Sequence, residues 1–363
     1  MAAQVALTVV TRLAVPARST GFLNHFKKGL GIASLSSTIC SDLFGRPFSA
    51  ASRLMGRTHV DWKAKGDVAV VYVNEPKSKV NRWSGHMQKE MMEVMDEIWT
   101  KDSVGSAVVM SSKPNSYITG IDLKNIKACK TEVEAILLSR QWQGMMKRIE
   151  FSPKPIVAAI NGLCFNAGLE FATACQYRLA TRCIETSLIS REVRLGLMPS
   201  AGGTQRLTKL VGPYNALEVM LEGYRINADA AKKMGLVHKV VDTKDFNYLE
   251  DIAVNCARGI VNKSISLTPQ MSWAMKLQDF NHSFPTEAMF RDVWEKVVKR
   301  ETYFTAPLKI IETVQLGVQQ GSAAGYRAES HNFGELVMSH ETNALINLYR
   351  DLSIAQLKRR TLK

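Results

Sequence analysis

No CxxC occurs among the six cysteines of this 363-residue chain, and their positions follow no pairing logic. Cys40, Cys129, Cys164, Cys175, Cys183 and Cys256 read as free thiols of a reducing compartment, which excludes a disulfide framework. The seven histidines form no HxxxH, and none stands at ligand spacing from a cysteine, so no metal site is expected. No apolar run approaches the roughly 20 residues of a bilayer span. No GxGxxG follows a strand-like segment, which leaves hydride transfer with NAD unsupported. Internal repeats and low-complexity tracts are also missing, and the basic residues are not interleaved with an aromatic stripe, so no nucleic-acid partner is expected.

Acid is scarce at the start of the chain. Residues 1–56 carry Arg12, Arg18, Lys27, Lys28, Arg46 and Arg53 against Asp42 alone, amid serine, alanine and leucine. That composition predicts a mitochondrial transit peptide, with a disordered basic arm or a secretory signal as the other readings. Against secretion, no basic leader precedes the apolar stretch Ala2–Ala14. The segment contributes to the formal charge of +14 and the sequence pI near 9.5. The positive remainder suits a phosphate-bearing ligand or an anionic membrane surface.

What is present is a full core. With 46% hydrophobic residues, the chain accommodates one large domain, or one plus a helical appendage. Asp67–Asn74 and Ala107–Met110 read as strands, and Pro155–Ile160 as a buried strand closed by Asn161-Gly162. Met87, Met91, Val94, Met95 and Ile98 repeat at helical spacing behind Ser84, which predicts a serine-capped amphipathic helix. Tyr117–Lys124 reads as a turn entering a helix, and Tyr248–Lys363 as mostly helical with an interruption at Asn281–Pro285. Alternating strands and helices predict an α/β fold with crossover connections.

The chemistry is concentrated in Asn161–Leu207, where two small-residue turns each lie beside a glutamate, Glu170 and Glu192. A helix beginning near Ala167 offers free N–H groups at its positive end. Glu170 alone reads as a dipole partner in that helix's first turn. With Glu192 ahead of a second glycine-rich turn, the pair reads as a base and an acid for proton transfer beside a carbonyl.

NGLCFNAGLE, CQYRLAT, EVRLGLMPSAGGTQRL and AKKMGLV resemble the enoyl-CoA hydratase/isomerase (crotonase) superfamily. Arg57–Asn81, Ser106–Pro114, Ala306–Glu312 and Phe333–Thr342 extend the likeness to the N-terminal hydratase part of trifunctional-type alpha subunits. The resemblance implies a ClpP/crotonase β-β-α superhelix over residues 57–242, followed by a helical region at 243–363 that contacts an oligomer or partner. Such alpha subunits continue into a dinucleotide-binding dehydrogenase domain, for which this chain has no motif. Glu170 and Glu192 would be catalytic, and the backbone N–H groups of Ile121 and Ala167 would form the oxyanion hole. Lys79 and Asn81 would border coenzyme A.

The implied activity is hydration of a trans-2-enoyl-CoA, long-chain by the closer likeness, in mitochondrial β-oxidation. The thioester is the substrate, and no cofactor or metal is needed. The implied partners are further copies of the chain or a thiolase-type beta subunit, with association at the inner-membrane surface. Ala167 in place of a glycine, and Arg191 and Arg194 beside Glu192, depart from the family pattern. A guanidinium there would lower the Glu192 pKa. They keep open a non-catalytic acyl-CoA binder or scaffold subunit as the alternative.

Overall fold

The computed structural model describes residues 56–267, 285–300 and 304–361. The expected transit peptide, up to residue 55, and most of the expected helical interruption lie outside the described residues. β1 (Val60–Lys65) and β2 (Val68–Val73) pair antiparallel, and every later ladder is parallel.

From β2 onward the chain repeats one unit: a strand in a larger sheet, a strand in a smaller sheet, then helix. The first turn is β2, β3 (Arg82–Trp83) and α1 (Gly85–Thr100). The second is β4 (Ser106–Ser111), β5 (Ser116–Ile121), α2 (Leu123–Ala128) and α3 (Glu132–Glu150). The third is β6 (Ile156–Ile160), β7 (Leu163–Phe165) and α4 (Ala167–Ala174). The fourth is β8 (Tyr177–Thr181), β9 (Ser187–Ile189) and a short 3-10 turn, Glu192–Leu195. After α5 (Gly203–Val211), α6 (Pro213–Glu222) and α7 (Ala228–Lys233), β10 (Lys239–Val241) closes the larger sheet. The strand orders β1-β2-β4-β6-β8-β10 and β3-β5-β7-β9 describe a β-β-α superhelix, as the resemblance implied.

The central strands β2, β4 and β6 of the larger sheet are buried at every position because both faces are covered, whereas the edge strand β1 carries Asp61, Lys63 and Lys65. Side chains alternate along each strand. Ala69, Val71, Ala107, Val109 and Ala158 join the main core with α1, α3 and α4. Val68, Val70, Val108, Val157 and Leu179 face the opposite way, onto Leu249, Ala253 and Ala257 of α8 (Phe246–Val261). Ser84 caps α1 by accepting from the Met87 N–H, which the methionine stripe had located.

One local reading is corrected. Tyr117–Ile121 belongs to β5 rather than to a turn, and the following helix starts at Leu123 with Asp122 as its cap. Its sequence lacks a strand signature because β5 pairs with two short neighbours through shifted register. Beyond the larger sheet lie α9 (Pro285–Arg300), α10 (Thr305–Gln320), α11 (Ser322–Met338) and α12 (His340–Thr361). α11 packs on α3 and α10, and α10 on α5 and α6. Phe333 of α11 meets Trp142 of α3 edge to face, with ring centroids 5.9 Å apart.

Candidate active site

Three adjacent parallel strands of the smaller sheet, β5, β7 and β9, release the predicted site residues at their carboxyl ends. This is the edge at which α/β sheets bind ligands. Half-buried Ile121 ends β5; Ala167 opens α4 one residue after the turn from β7; Glu192 follows β9 by three residues.

Contact between these turns is close. A Cβ on Gly168 would stand 1.9 Å from the Ile118 carbonyl oxygen, and one on Gly120 would stand 3.3 Å from the Asn166 Cβ. Only glycine at 168 lets the start of α4 lie against β5. Asn166, two residues earlier, has φ 52° with ψ −112°, so it is the residue of this run that occupies the positive-φ region. Asparagine tolerates that region better than most residues. Ala167 is already helical, so its methyl meets none of the strain expected from its replacing a glycine. As the first helical residue, it has an N–H without a partner inside α4.

Asn166 also joins two turns: its N–H donates to Ile189 O at 2.8 Å, and its side-chain oxygen accepts from Arg191 N at 2.8 Å. The turn carrying Glu192 is thereby fixed to the turn carrying Ala167 and Glu170.

Both glutamates are buried, with Glu170 4% and Glu192 8% exposed. Glu170 Oε1 accepts from the N–H groups of Ala201 and Gly203, at 2.7 and 2.9 Å. A Cβ on Gly203 would come within 2.6 Å of that oxygen, so the glycine admits the carboxylate. Burial pushes the Glu170 pKa well above the usual range, helped by the charges of Glu329 and Glu192. Burial likewise pushes Glu192 up to about 7, although the Ser190 hydroxyl donates to its Oε2 at 2.7 Å. Carboxylates this close titrate as a set, and such a set holds a proton near neutrality.

Arg191 acts on Glu192 only through its backbone N–H, which opposes the rise in pKa, while neither nearby guanidinium is directed at the carboxylate. Arg191 Nε donates to Gly223 O at 2.8 Å and Arg194 Nη2 to Glu222 O at 3.2 Å, which turns both guanidinium groups toward the end of α6. Arg191→Met is therefore expected to leave the pH dependence of turnover in place. A shift of that profile in a kcat/KM titration would restore the guanidinium as a partner of Glu192.

The expected coenzyme A contacts separate. Lys79 is exposed on the loop before β3. Asn81 is fully buried: its Nδ2 donates to Ser111 Oγ at 2.8 Å and Tyr117 O at 2.9 Å, and its Oδ1 accepts from Glu75 N at 2.8 Å. With donors and acceptor engaged, Asn81 ties β2, β4 and β5 together and offers a ligand nothing. Asn81→Ala is expected to cost about 3 kcal/mol of stability, because it leaves several buried groups unpaired. Denaturant titration measures the loss, and acyl-CoA affinity of the folded protein should not change.

A third buried carboxylate, Glu329 of α11, accepts from Gly202 N at 2.6 Å and Thr204 N at 3.1 Å and is 0% exposed. It went unnoticed in the sequence, although a glutamate on the apolar stripe formed with Gly325, Phe333 and Leu336 is a signal that periodicity alone supplies. Among the described residues, no group of three or more His, Cys, Asp or Glu is arranged to hold a metal ion.

The family model for enoyl-CoA hydratase/isomerase matches residues 63–299. The fatty acid oxidation complex subunit alpha of Idiomarina loihiensis is 36% identical over 295 residues, which are 81% of this chain. The chain spans 40% of that relative's length. An enoyl-CoA hydratase from Bacillus anthracis superposes with a TM-score of 0.51 at 26% identity, covering 67% of this chain and 92% of that one. An enoyl-CoA hydratase from Bacillus halodurans, 16% identical, shares the fold with a TM-score of 0.56 over 80% of this chain and all of its own. The sheet topology, the ordered motifs and these matches agree: the chain belongs to the enoyl-CoA hydratase/isomerase family.

Proposed function

We propose that the chain hydrates long-chain trans-2-enoyl-CoA to 3-hydroxyacyl-CoA in mitochondrial fatty-acid β-oxidation, as the hydratase component of a complex with a thiolase-type subunit. The observation that carries this reading is the convergence of Ile121, Ala167, Glu170 and Glu192 at three neighbouring strand ends.

In the proposed mechanism, the N–H groups of Ile121 and Ala167 donate to the thioester oxygen as it becomes an enolate. Charge grows there in the transition state, and one such donor is typically worth about 3–4 kcal/mol. Glu170 orients the attacking water and takes its proton; Glu192 holds the same water and delivers a proton to C2. The proton count closes, because one leaves the water and one reaches the α-carbon. This chemistry draws on no metal or redox group.

Support for a long acyl chain comes from a cavity of about 360 Å³ against α2, the helix that starts beside Ile121. Ile126, Cys129, Val337, Met338 and Ile346 form the apolar part of its lining, and Lys127, Lys130, Asn343 and Asn347 the polar part. The fatty acid oxidation complex named for the relative supports a partner subunit. The Arg- and Ser-rich composition of residues 1–56 supports import. Among the described residues, no helix is long and apolar enough to cross a membrane, so the proposed membrane association is peripheral.

The test is loss of enoyl absorbance with trans-2-hexadecenoyl-CoA and crotonyl-CoA. Turnover that favours the longer substrate, and falls selectively for it in Ile346→Trp, agrees with the proposal. Equal turnover of both overturns the chain-length assignment, and none on either overturns the activity.

A further inference from the structure

We propose that Glu329, delivered by α11 from outside the strand-and-helix repeat, is a third carboxylate of the active centre and its positioning residue. It clamps the turn that holds Glu170, and its negative charge keeps the Glu170–Glu192 pair from ionising completely. The inference rests on the hydratase reading for its consequence in turnover, and on geometry alone for the device itself.

The geometry is an alternation along four consecutive residues. Ala201 and Gly203 give their N–H groups to Glu170, whereas Gly202 and Thr204 give theirs to Glu329. The Thr204 hydroxyl and Gln143 Nε2, the latter at 2.9 Å, complete the shell of Glu329. The turn between Pro199 and α5 is therefore held from both sides by carboxylates, at the positive end of a helix that favours anions.

An acid at 0% exposure is an expensive way to pack a helix. An apolar residue would seat α11 against α3 at lower cost, as Phe333 does. No ion pair of Glu329 exists among the described residues, so donors rather than a cation hold it. The groups facing it can be named element by element. α4 brings Glu170 and the 3-10 turn brings Glu192. α5 brings Arg206, whose Nε donates to Glu150 of α3 at 2.9 Å and whose guanidinium lies 5.7 Å from the centroid of the Tyr326 ring of α11. α10 directs Lys309 to Glu335, on a later turn of α11.

With three carboxylates around one turn, simultaneous ionisation is disfavoured. Burial raises the pKa of Glu329 too, but its donors from Thr204, Gln143 and Gly202 oppose the rise, and Glu170 and Glu192 both feel its charge. The proton the set retains accordingly stays on the pair that does the chemistry. Docking of α11 is coupled to the same turn: the Gln205 side chain of α5 fills the space over Gly317 of α10 and Gly325 of α11, where a Cβ would meet its oxygen at 1.9 and 2.1 Å.

The experiment compares Glu329→Gln with Glu329→Asp, which keeps the charge, and reads Glu192 ionisation directly by carbon NMR of labelled glutamate carboxyls, without substrate. In the unaltered protein the Glu192 midpoint is expected near 7. In Glu329→Gln it should fall, with the alkaline limb of kcat/KM moving the same way, while Glu329→Asp stays near the original. If Glu329→Gln does not fold, Thr204→Val weakens the anion without altering α11, and the midpoint should move in the same direction. A uniform loss of turnover with both midpoint and limb unmoved assigns Glu329 a merely structural role and overturns the proposal. A shifted midpoint in a protein that turns over no enoyl-CoA sustains the device and sinks the hydratase reading instead.

Discussion

Glutamine in place of Glu192 is expected to lower hydration turnover by about 10²–10⁴-fold, the usual contribution of a positioned acid or base. Acyl-CoA affinity should change little, because an amide keeps the shape of the acid. The acid form of Glu192 is the one that delivers a proton to C2, so activity is expected to fall as pH rises through about 7, its folded-state value. The same substitution has an opposite effect on stability. The folded pKa lies above the ordinary 4.5, so the stability contributed by the protonated group is complete below pH 4.5 and is lost as pH rises through about 7. A shift of that size corresponds to ~3 kcal/mol at pH 8 that the glutamine variant does not forfeit. Thermal midpoints of the two proteins should coincide near pH 4 and separate above pH 7, with the inactive variant the more stable. A variant that is both inactive and destabilised at pH 8 would contradict the account of a buried, unwillingly ionised acid.

Gly168→Ala is the second large effect. The added methyl would lie 1.9 Å from Ile118 O and 2.7 Å from its carbon, both backbone atoms that cannot rotate aside. α4 must then retreat from β5, at a cost of about 3 kcal/mol. The retreat carries the Ala167 N–H and the Glu170 carboxylate with it. A displacement near 1 Å in a reacting constellation costs about 10²-fold in rate. Urea unfolding and kcat/KM measured together check both halves. Unchanged values would mean that the close approach of helix and strand is dispensable.

These two sites were unequally legible beforehand. Glu170 and Glu192 could be picked out because each adjoins a glycine-rich turn, and their separation by strand β8 and its connection set them one superhelical turn apart. The buried runs Val68–Val73 and Ile156–Ile160 announced their strands for a simple reason: a parallel sheet covered on both faces must be apolar at every position. β5 lacked that signature, being paired with short strands at shifted register, and so read as a turn. Arg191 and Arg194 bear on Glu192 only if their guanidinium groups point inward, which neighbouring positions in the sequence do not decide. Their side chains bend to the carbonyls of Gly223 and Glu222, some thirty residues away in the chain. Asn81 was expected at coenzyme A because the resemblance places its loop there, whereas its side chain is buried and spent on the neighbouring strands.

The sequence by itself determined the buried strands of the larger sheet, the Ser84-capped helix, the small-residue turns and the two glutamates beside them. All of these are consequences of local periodicity, backbone freedom and short-range hydrogen bonding. Only the tertiary structure decided what charges those glutamates feel. It placed Glu329, more than a hundred residues beyond Glu192, on the far side of the Ala201–Thr204 turn. It also directed the neighbouring arginines elsewhere. Electrostatic environment depends on distance through space and on the exclusion of water, and neither is a property of position along the chain.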